Sequence, residues 1–100
     1  MFNSHKGYRV ELDEFNKYYR STSRTDNSAW LRTFANAFRD EMRKEGYPDG
    51  LYSDTVNYVE RDMAKLCRNT KVKMISKGCP AASATQVISS FKRWFKSRWA

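Results

Sequence analysis

The chain has 100 residues, of which 40% are hydrophobic and 15% aromatic, and its formal net charge is +8 at pH 7. A chain of this length builds one hydrophobic core, so the sequence predicts a single domain over residues 1–100. No segment approaches the roughly 20 apolar residues that span a bilayer, and the N-terminus lacks the apolar run of a signal peptide. We therefore expect no transmembrane segment and a cytoplasmic location.

The first part of the chain predicts a short helix after an N-terminal arm. Residues 1–10 are interpreted as a loose arm in which residues 8–10 suit an extended conformation. A helix is predicted from about Glu11 to Arg20, and a polar connector over residues 21–28 follows it. The residues that recur on one face at helical spacing are Leu12, Phe15 and Tyr19, with Tyr18 beside them.

The second predicted helix carries the broadest apolar stripe in the chain. Asn27 or Ser28 suits its N-cap, and Gly46 suits a left-handed residue after its end near Glu45. The stripe consists of Trp30, Leu31, Phe34, Ala35, Phe38 and Met42. We expect this face to lie in the core.

A third helix is predicted to begin at Ser53 as N-cap, with Asp54 in its first turn. Its apolar residues at three-and-four spacing are Val56, Val59, Met63, Leu66 and Cys67. Beyond Arg68, basic and apolar residues alternate from Lys71 to Met74, a pattern typical of a strand. Residues 70–82 are therefore predicted to be a short strand or a basic loop.

The fourth predicted helix is capped by Ser83 and runs to the end of the chain. Its apolar residues fall within about 140 degrees of arc and its cations lie on the opposite side, so the aromatic residues are predicted to face inward. The apolar set is Val87, Ile88, Phe91, Trp94, Phe95 and Trp99. The fold class is thus predicted to be all-α, a compact bundle of about four helices with one short extended basic segment between the third and fourth.

No glycine, asparagine or proline ends the helical pattern at Trp99 and Ala100. This pattern suits the N-terminal domain of a longer protein and a frayed natural terminus equally well.

Charge is distributed unevenly along the chain. Residues 1–50 hold nine Lys and Arg against eight Asp and Glu, whereas residues 51–100 hold ten against three, with no acid after Asp62. A surface of one sign attracts a polyanion. The cations that we predict to bind nucleic-acid phosphates are Lys71, Lys73, Lys77, Lys92, Arg93 and Lys96.

A reserve set of site residues lies on the second helix. Arg32, Asn36, Arg39 and Arg43 fall within about 60 degrees of one another, opposite the apolar stripe. Arginine and asparagine are side chains that read base edges in a major groove. Intrahelical pairs such as Asp40 with Lys44 offer a purely structural explanation of the same pattern.

The sequence does not predict an enzyme, a metal site or a cofactor. Its single histidine, His5, lies in the predicted arm, and neighbouring acids such as Asp13 and Glu14 diverge by about 100 degrees on a helix. The two cysteines, Cys67 and Cys79, lie twelve residues apart with no third cysteine, which is neither a zinc nor a redox spacing.

The leading interpretation is a small basic helical domain that binds duplex DNA, of the operator-binding or replication-origin-binding kind, with RNA left open. The alternative is a small phage-type inhibitor or adaptor that docks on an acidic host protein. A homodimer would suit paired DNA half-sites. About thirteen residues separate the third and fourth predicted helices, which argues against a tight helix-turn-helix. A membrane-surface helix is disfavoured because the other helices need the same apolar face.

Overall fold

The protein is described by a computed structural model that covers residues 7–8, 12–22, 27–46, 51–52 and 56–99. Within these residues lie four α-helices: α1 (Leu12–Thr22), α2 (Leu31–Lys44), α3 (Val56–Ser76) and α4 (Ala81–Trp99). The predicted all-α class is confirmed. None of the described helices is both long and apolar enough to cross a membrane.

Two very short strands pair with each other. β1 (Gly7–Tyr8) runs antiparallel to β2 (Leu51–Tyr52), with Gly7 opposite Tyr52 and Tyr8 opposite Leu51. The extended conformation predicted for Tyr8 is confirmed, and the prediction of a loose arm is wrong for residues 7–8, because the backbone pairs there. The rest of the predicted arm lies outside the described residues.

α1 is two residues longer at its C-terminal end than predicted. The hydroxyls of Ser21 and Thr22 donate hydrogen bonds to the carbonyl of Tyr18, at 2.9 and 2.8 Å, so polar residues expected in the connector continue the helix. The predicted core residues Leu12, Phe15 and Tyr19 are buried.

The start of α2 also differs from the prediction. A 3-10 turn, Ser28–Trp30, precedes the α-helix, and the Asn27 side chain makes no capping hydrogen bond. The backbone N–H of Trp30 donates to the carbonyl of Asn27 at 3.0 Å. Gly46 has a φ of +85°, so its predicted left-handed conformation is confirmed. The predicted cap of the third helix, Ser53 with Asp54, lies outside the described residues.

α3 continues through the segment that was predicted to be a strand or loop, and that prediction is wrong. Thr70 and Met74 are one helical turn apart and both fully buried, so they extend the stripe begun by Met63 and Leu66. Four alternating residues are too few to distinguish a strand from a helix whose flanks carry lysines. The chain then turns over residues 77–80.

The turn between α3 and α4 is therefore four residues long rather than thirteen. Gly78 adopts a φ of +97°, which a residue with a side chain rarely adopts. The backbone N–H of Cys79 donates to the carbonyl of Met74 at 3.1 Å and closes the end of α3. Pro80, not Ser83, precedes α4, because its carbonyl accepts the first helical hydrogen bond, from Ala84 at 3.0 Å.

Phe91 of α4 lies at the centre of the core. Its ring centroid is 5.2 Å from that of Phe15, 5.1 Å from that of Phe34 and 4.8 Å from that of Phe38. α2 packs on α3, α3 on α4, and α4 on α1. The predicted inward orientation of the fourth helix is confirmed by the buried side chains Val87, Ile88, Phe91, Trp94 and Phe95, while the Trp99 side chain lies outside the described part.

Candidate nucleic-acid interface

α3 and α4 are joined by a turn of only four residues and pack against each other, so they form a helical hairpin. Burial raises the pKa of Cys67 to about 12, and the positive charge of Lys92 opposes this rise. The predicted separation of about thirteen residues, which argued against a tight helix-turn-helix, is therefore wrong.

The predicted cations of α4 are on its solvent face. Lys92, Arg93 and Lys96 are exposed, as predicted. Lys96 follows Lys92 by one helical turn, so the two lie on the same side of α4. Arg93 lies further round the helix, where its Nη2 donates a hydrogen bond to Oγ of Ser90 at 3.3 Å.

Lys71 and Lys77 extend this basic surface onto α3 and the turn. Lys71 is half-buried and follows Cys67 by four residues, so the two lie on the same side of α3. Lys77 is exposed at the tip of the hairpin. All six predicted phosphate-binding cations thus lie on the α3–α4 hairpin, and one of them, Lys73, is held in an ion pair with α2.

Lys73 is the exception, because it points to α2. Its Nζ lies 3.1 Å from Oδ2 of Asp40 and 3.8 Å from Oε2 of Glu41. The hydrogen bond and the charge of Lys73 lower the pKa of Asp40 below its usual value. A second ion pair between the same helices joins Lys65 to Glu45 at 3.0 Å. Acidic side chains of α2 and its C-terminal end thus neutralise the cations of α3 that face α2.

Arg68 is a further cation of α3 that the predicted set of phosphate-binding residues does not include. It is exposed, directly follows Cys67, and precedes Lys71 by three residues, so it lies near the same edge of α3. The spacing was visible in the sequence, but the predicted end of the helix at Arg68 separated it from Lys71. We define the hairpin surface as Arg68, Lys71, Lys77, Lys92, Arg93 and Lys96.

Two aliphatic side chains are exposed beside these cations. Val72 is 65% exposed and Ile75 is 42% exposed, both on α3 next to Lys71. A strand or loop over residues 70–82, as predicted, does not indicate that these two side chains are exposed.

The reserve residues of α2 lie on a different surface. Arg32, Asn36 and Arg39 line a groove of about 310 Å³ between α1 and α2, together with Asp13 and Asn16 of α1.

Arg43 continues the reserve line, with its Nη1 3.6 Å from Oδ1 of Asp40. Nζ of Lys44 lies 3.2 Å from Oε2 of Glu41. The sequence predicted Asp40 as the partner of Lys44, but among the ion pairs of the described residues its partner is Glu41.

The other reactive residue types do not assemble into a chemical site within the described ranges. No three His, Cys, Asp or Glu side chains there come close enough to hold a metal ion. Cys67 and Cys79 are buried free thiols, and burial raises the pKa of each, which disfavours the reactive thiolate. His5 lies outside the described residues.

Comparison with known proteins identifies no relative: no protein family, curated protein or solved structure matches the chain.

Proposed function

We propose that the protein binds duplex DNA through the hairpin surface. The observation that supports this proposal is the separation of side chains on α4, where Phe91, Trp94 and Phe95 are buried, whereas Lys92, Arg93 and Lys96 face solvent. No acid occurs in the chain after Asp62, so the α3–α4 hairpin beyond that residue adds no negative charge to the surface. Such a surface attracts the phosphate backbone and fixes the protein's position on it.

Burial of the aromatic residues favours duplex over single-stranded nucleic acid. Proteins that hold single strands stack the bases on exposed aromatic side chains. Phe91, Trp94 and Phe95 are buried in the bundle and offer no such platform. The hairpin surface therefore suits a ligand that presents phosphates on its outside, as an operator or replication-origin duplex does.

The first experiment is fluorescence anisotropy with a labelled random duplex of about 25 base pairs at about 50 and 200 mM salt. Six phosphate contacts give a log-log slope near −5, so the affinity should fall about 10³-fold over this range. A single strand and a hairpin RNA of equal charge are measured alongside. Tighter RNA binding would reassign the surface to RNA, and no duplex binding at the lower salt would refute the proposal.

Two double variants with the same change in net charge test whether duplex binding depends on the hairpin surface. Lys92→Glu with Lys96→Glu should abolish duplex binding while the circular dichroism spectrum is retained, because both side chains are exposed. Lys17→Glu with Arg20→Glu makes the same change in net charge on exposed positions of α1 and should reduce affinity only slightly. Equal losses in both variants would show a net-charge effect without a defined surface.

A second candidate function is docking on an acidic protein, and the exposed Val72 and Ile75 favour it. Apolar side chains framed by cations suit a protein partner with an apolar centre and an acidic rim. Val72→Ser with Ile75→Ser removes the apolar centre and leaves every cation in place. Unchanged, steeply salt-dependent duplex binding by this variant supports the DNA proposal. A wild-type protein that fails to bind duplex would direct the search to an acidic partner that the variant no longer binds.

A further inference from the structure

The groove between α1 and α2 lies on the side of the bundle opposite the hairpin surface. α2 packs on α3, α3 on α4 and α4 on α1. The groove between α1 and α2 therefore lies across the bundle from the contact between α3 and α4. The rings of Phe15 and Phe34, 5.5 Å apart, meet at its floor and are themselves buried. A ligand in this groove would not touch the hairpin surface.

The rim of the groove is rich in hydrogen-bond donors. Arg32, Asn36 and Arg39 recur along α2 at spacings of four and three residues, which places them on one face. No ion pair engages either arginine among the described residues. Across the groove, Oδ1 of Asn16 accepts a hydrogen bond from Nε of Arg20 at 2.8 Å. This bond occupies the amide oxygen and leaves the amide nitrogen of Asn16 as a donor.

Asp13 supplies the carboxylate of the groove. It is exposed at the start of α1 and lines the same cavity as both arginines. Within the described part of the chain it forms no ion pair with Arg32 or Arg39. The groove thus combines two guanidinium groups with one carboxylate.

We propose that this groove binds a small phosphate monoester whose organic part carries hydroxyl or amino groups. Arginine forms bidentate hydrogen bonds to phosphate oxygens, and the two carboxamides add donors beside them. The carboxylate of Asp13 accepts hydrogen bonds from the organic part. The volume of about 310 Å³ is at the lower end of small-molecule sites, so the ligand has the size of a mononucleotide or a sugar phosphate.

Isothermal titration calorimetry tests the proposal with four probes: uridine monophosphate, glucose 6-phosphate, inorganic phosphate and sulfate. One or both esters should bind with one site per chain and at least tenfold more tightly than either inorganic ion. The two esters distinguish a nucleotide ligand from a sugar ligand. Equal binding of all four, or binding of none, would overturn the proposal.

Single substitutions locate the ligand. Arg39→Gln should weaken ester binding at least tenfold, whereas Arg43→Gln, one turn further along the same helix face and outside the groove, should change it less than twofold. Asp13→Asn should weaken binding of the ester and leave inorganic phosphate unaffected. An Arg39→Gln variant with wild-type affinity would rule out this groove.

The site is independent of DNA binding, and one further variant separates the two proposals. The Lys92→Glu, Lys96→Glu protein should retain ester binding because its substitutions lie on the opposite side of the bundle. Loss of ester binding in that variant would place the anion on the hairpin surface and contradict the groove assignment.

Discussion

Lys73 of α3 and Asp40 of α2 form an ion pair with Nζ 3.1 Å from Oδ2, and the same ammonium lies 3.8 Å from Oε2 of Glu41. The Lys73 side chain is only 26% exposed, so the pair is partly shielded from solvent. This contact fastens α2 to α3 at the side of α3 away from α4. One cation of the basic segment therefore has a structural role.

This ion pair predicts a loss of stability in acid. Lys73 lowers the pKa of Asp40 from its ordinary 3.8, so the folded state holds the charged carboxylate more strongly than the unfolded chain does. The stabilisation is fully present above about pH 4 to 5 and is lost as pH falls through the depressed pKa. Melting temperatures from pH 7 to pH 2 should show Asp40→Asn below wild type at neutral pH and the gap closing in acid.

The contrary result is a gap of constant size down to pH 2. It would mean that Asp40→Asn acts through packing and not through the charge. Repeating the series in 0.5 M sodium chloride should shrink the neutral-pH gap, because salt screens a partly exposed pair.

Lys71 and Lys73, two residues apart on α3, should differ in DNA binding. Lys71→Gln removes a cation of the hairpin surface and should reduce the salt slope of duplex binding by about one. Lys73→Gln should leave the slope unchanged and lower the melting temperature, because it leaves Asp40 and Glu41 without their partner. Anisotropy titrations and thermal melts of both variants test this difference, and equal slopes would contradict it.

Phe91→Ala should cost about 3 to 5 kcal/mol of unfolding free energy, because the ring fills the centre of the core and truncation leaves a cavity. Its exposed fraction is 0%. Val72→Ala, at a position that is 65% exposed, serves as the control and should cost less than about 0.5 kcal/mol. Urea denaturation measures both, and an unchanged midpoint for Phe91→Ala would place the ring outside the core.

Thr70→Val should stabilise the protein by about 1 kcal/mol. The Thr70 hydroxyl is fully buried and finds no hydrogen-bond partner among the described residues, and an unsatisfied buried polar atom costs about 1 to 3 kcal/mol. Thr70→Ser keeps the hydroxyl and removes the methyl group, so it should destabilise. The free energies of unfolding in urea test both, and a destabilised Thr70→Val would reveal a partner for the hydroxyl.

Gly78→Ala should destabilise the protein by about 1 kcal/mol through backbone strain alone. The φ of Gly78 is +97°, and an added Cβ would meet no atom within 4 Å. D-alanine at this position, introduced by chemical ligation, suits a positive φ and should not destabilise. Thermal melts compare the two, and equal losses would point to a steric cause.

The sequence predicted the cores of the helices better than their ends. Periodic apolar residues identify the buried faces of α2 and α4 because burial dominates the free energy of folding. At the ends of the helices, the capping interactions that decide where a helix begins or stops contribute little free energy each. The hydroxyl of Ser83 fits a cap, but the helix begins earlier, directly after Pro80, whose carbonyl accepts the hydrogen bond from Ala84.

The composition of the hairpin surface was predicted only in part, because contacts distant in the chain decide which cations belong to it. Lys92, Arg93 and Lys96 reach the hairpin surface as helical periodicity predicts, whereas Lys71 and Lys77 were predicted from the charge pattern alone, in a segment assigned to a strand or loop. The direction of Lys73 depends on Asp40, 33 residues earlier in the chain, and no local pattern reports such a contact. Nor does the sequence reveal the groove, since it arises from the spacing between α1 and α2.

The central position of Phe91 affects the order in which the protein can fold during synthesis. The aromatic rings that it contacts, on α1 and α2, are synthesised before α4. Until then these rings have no partner from the last helix, and exposed apolar surface promotes aggregation. A nascent chain halted in the turn at residues 77–80 should thus be sensitive to protease, and the bundle should close only when α4 emerges.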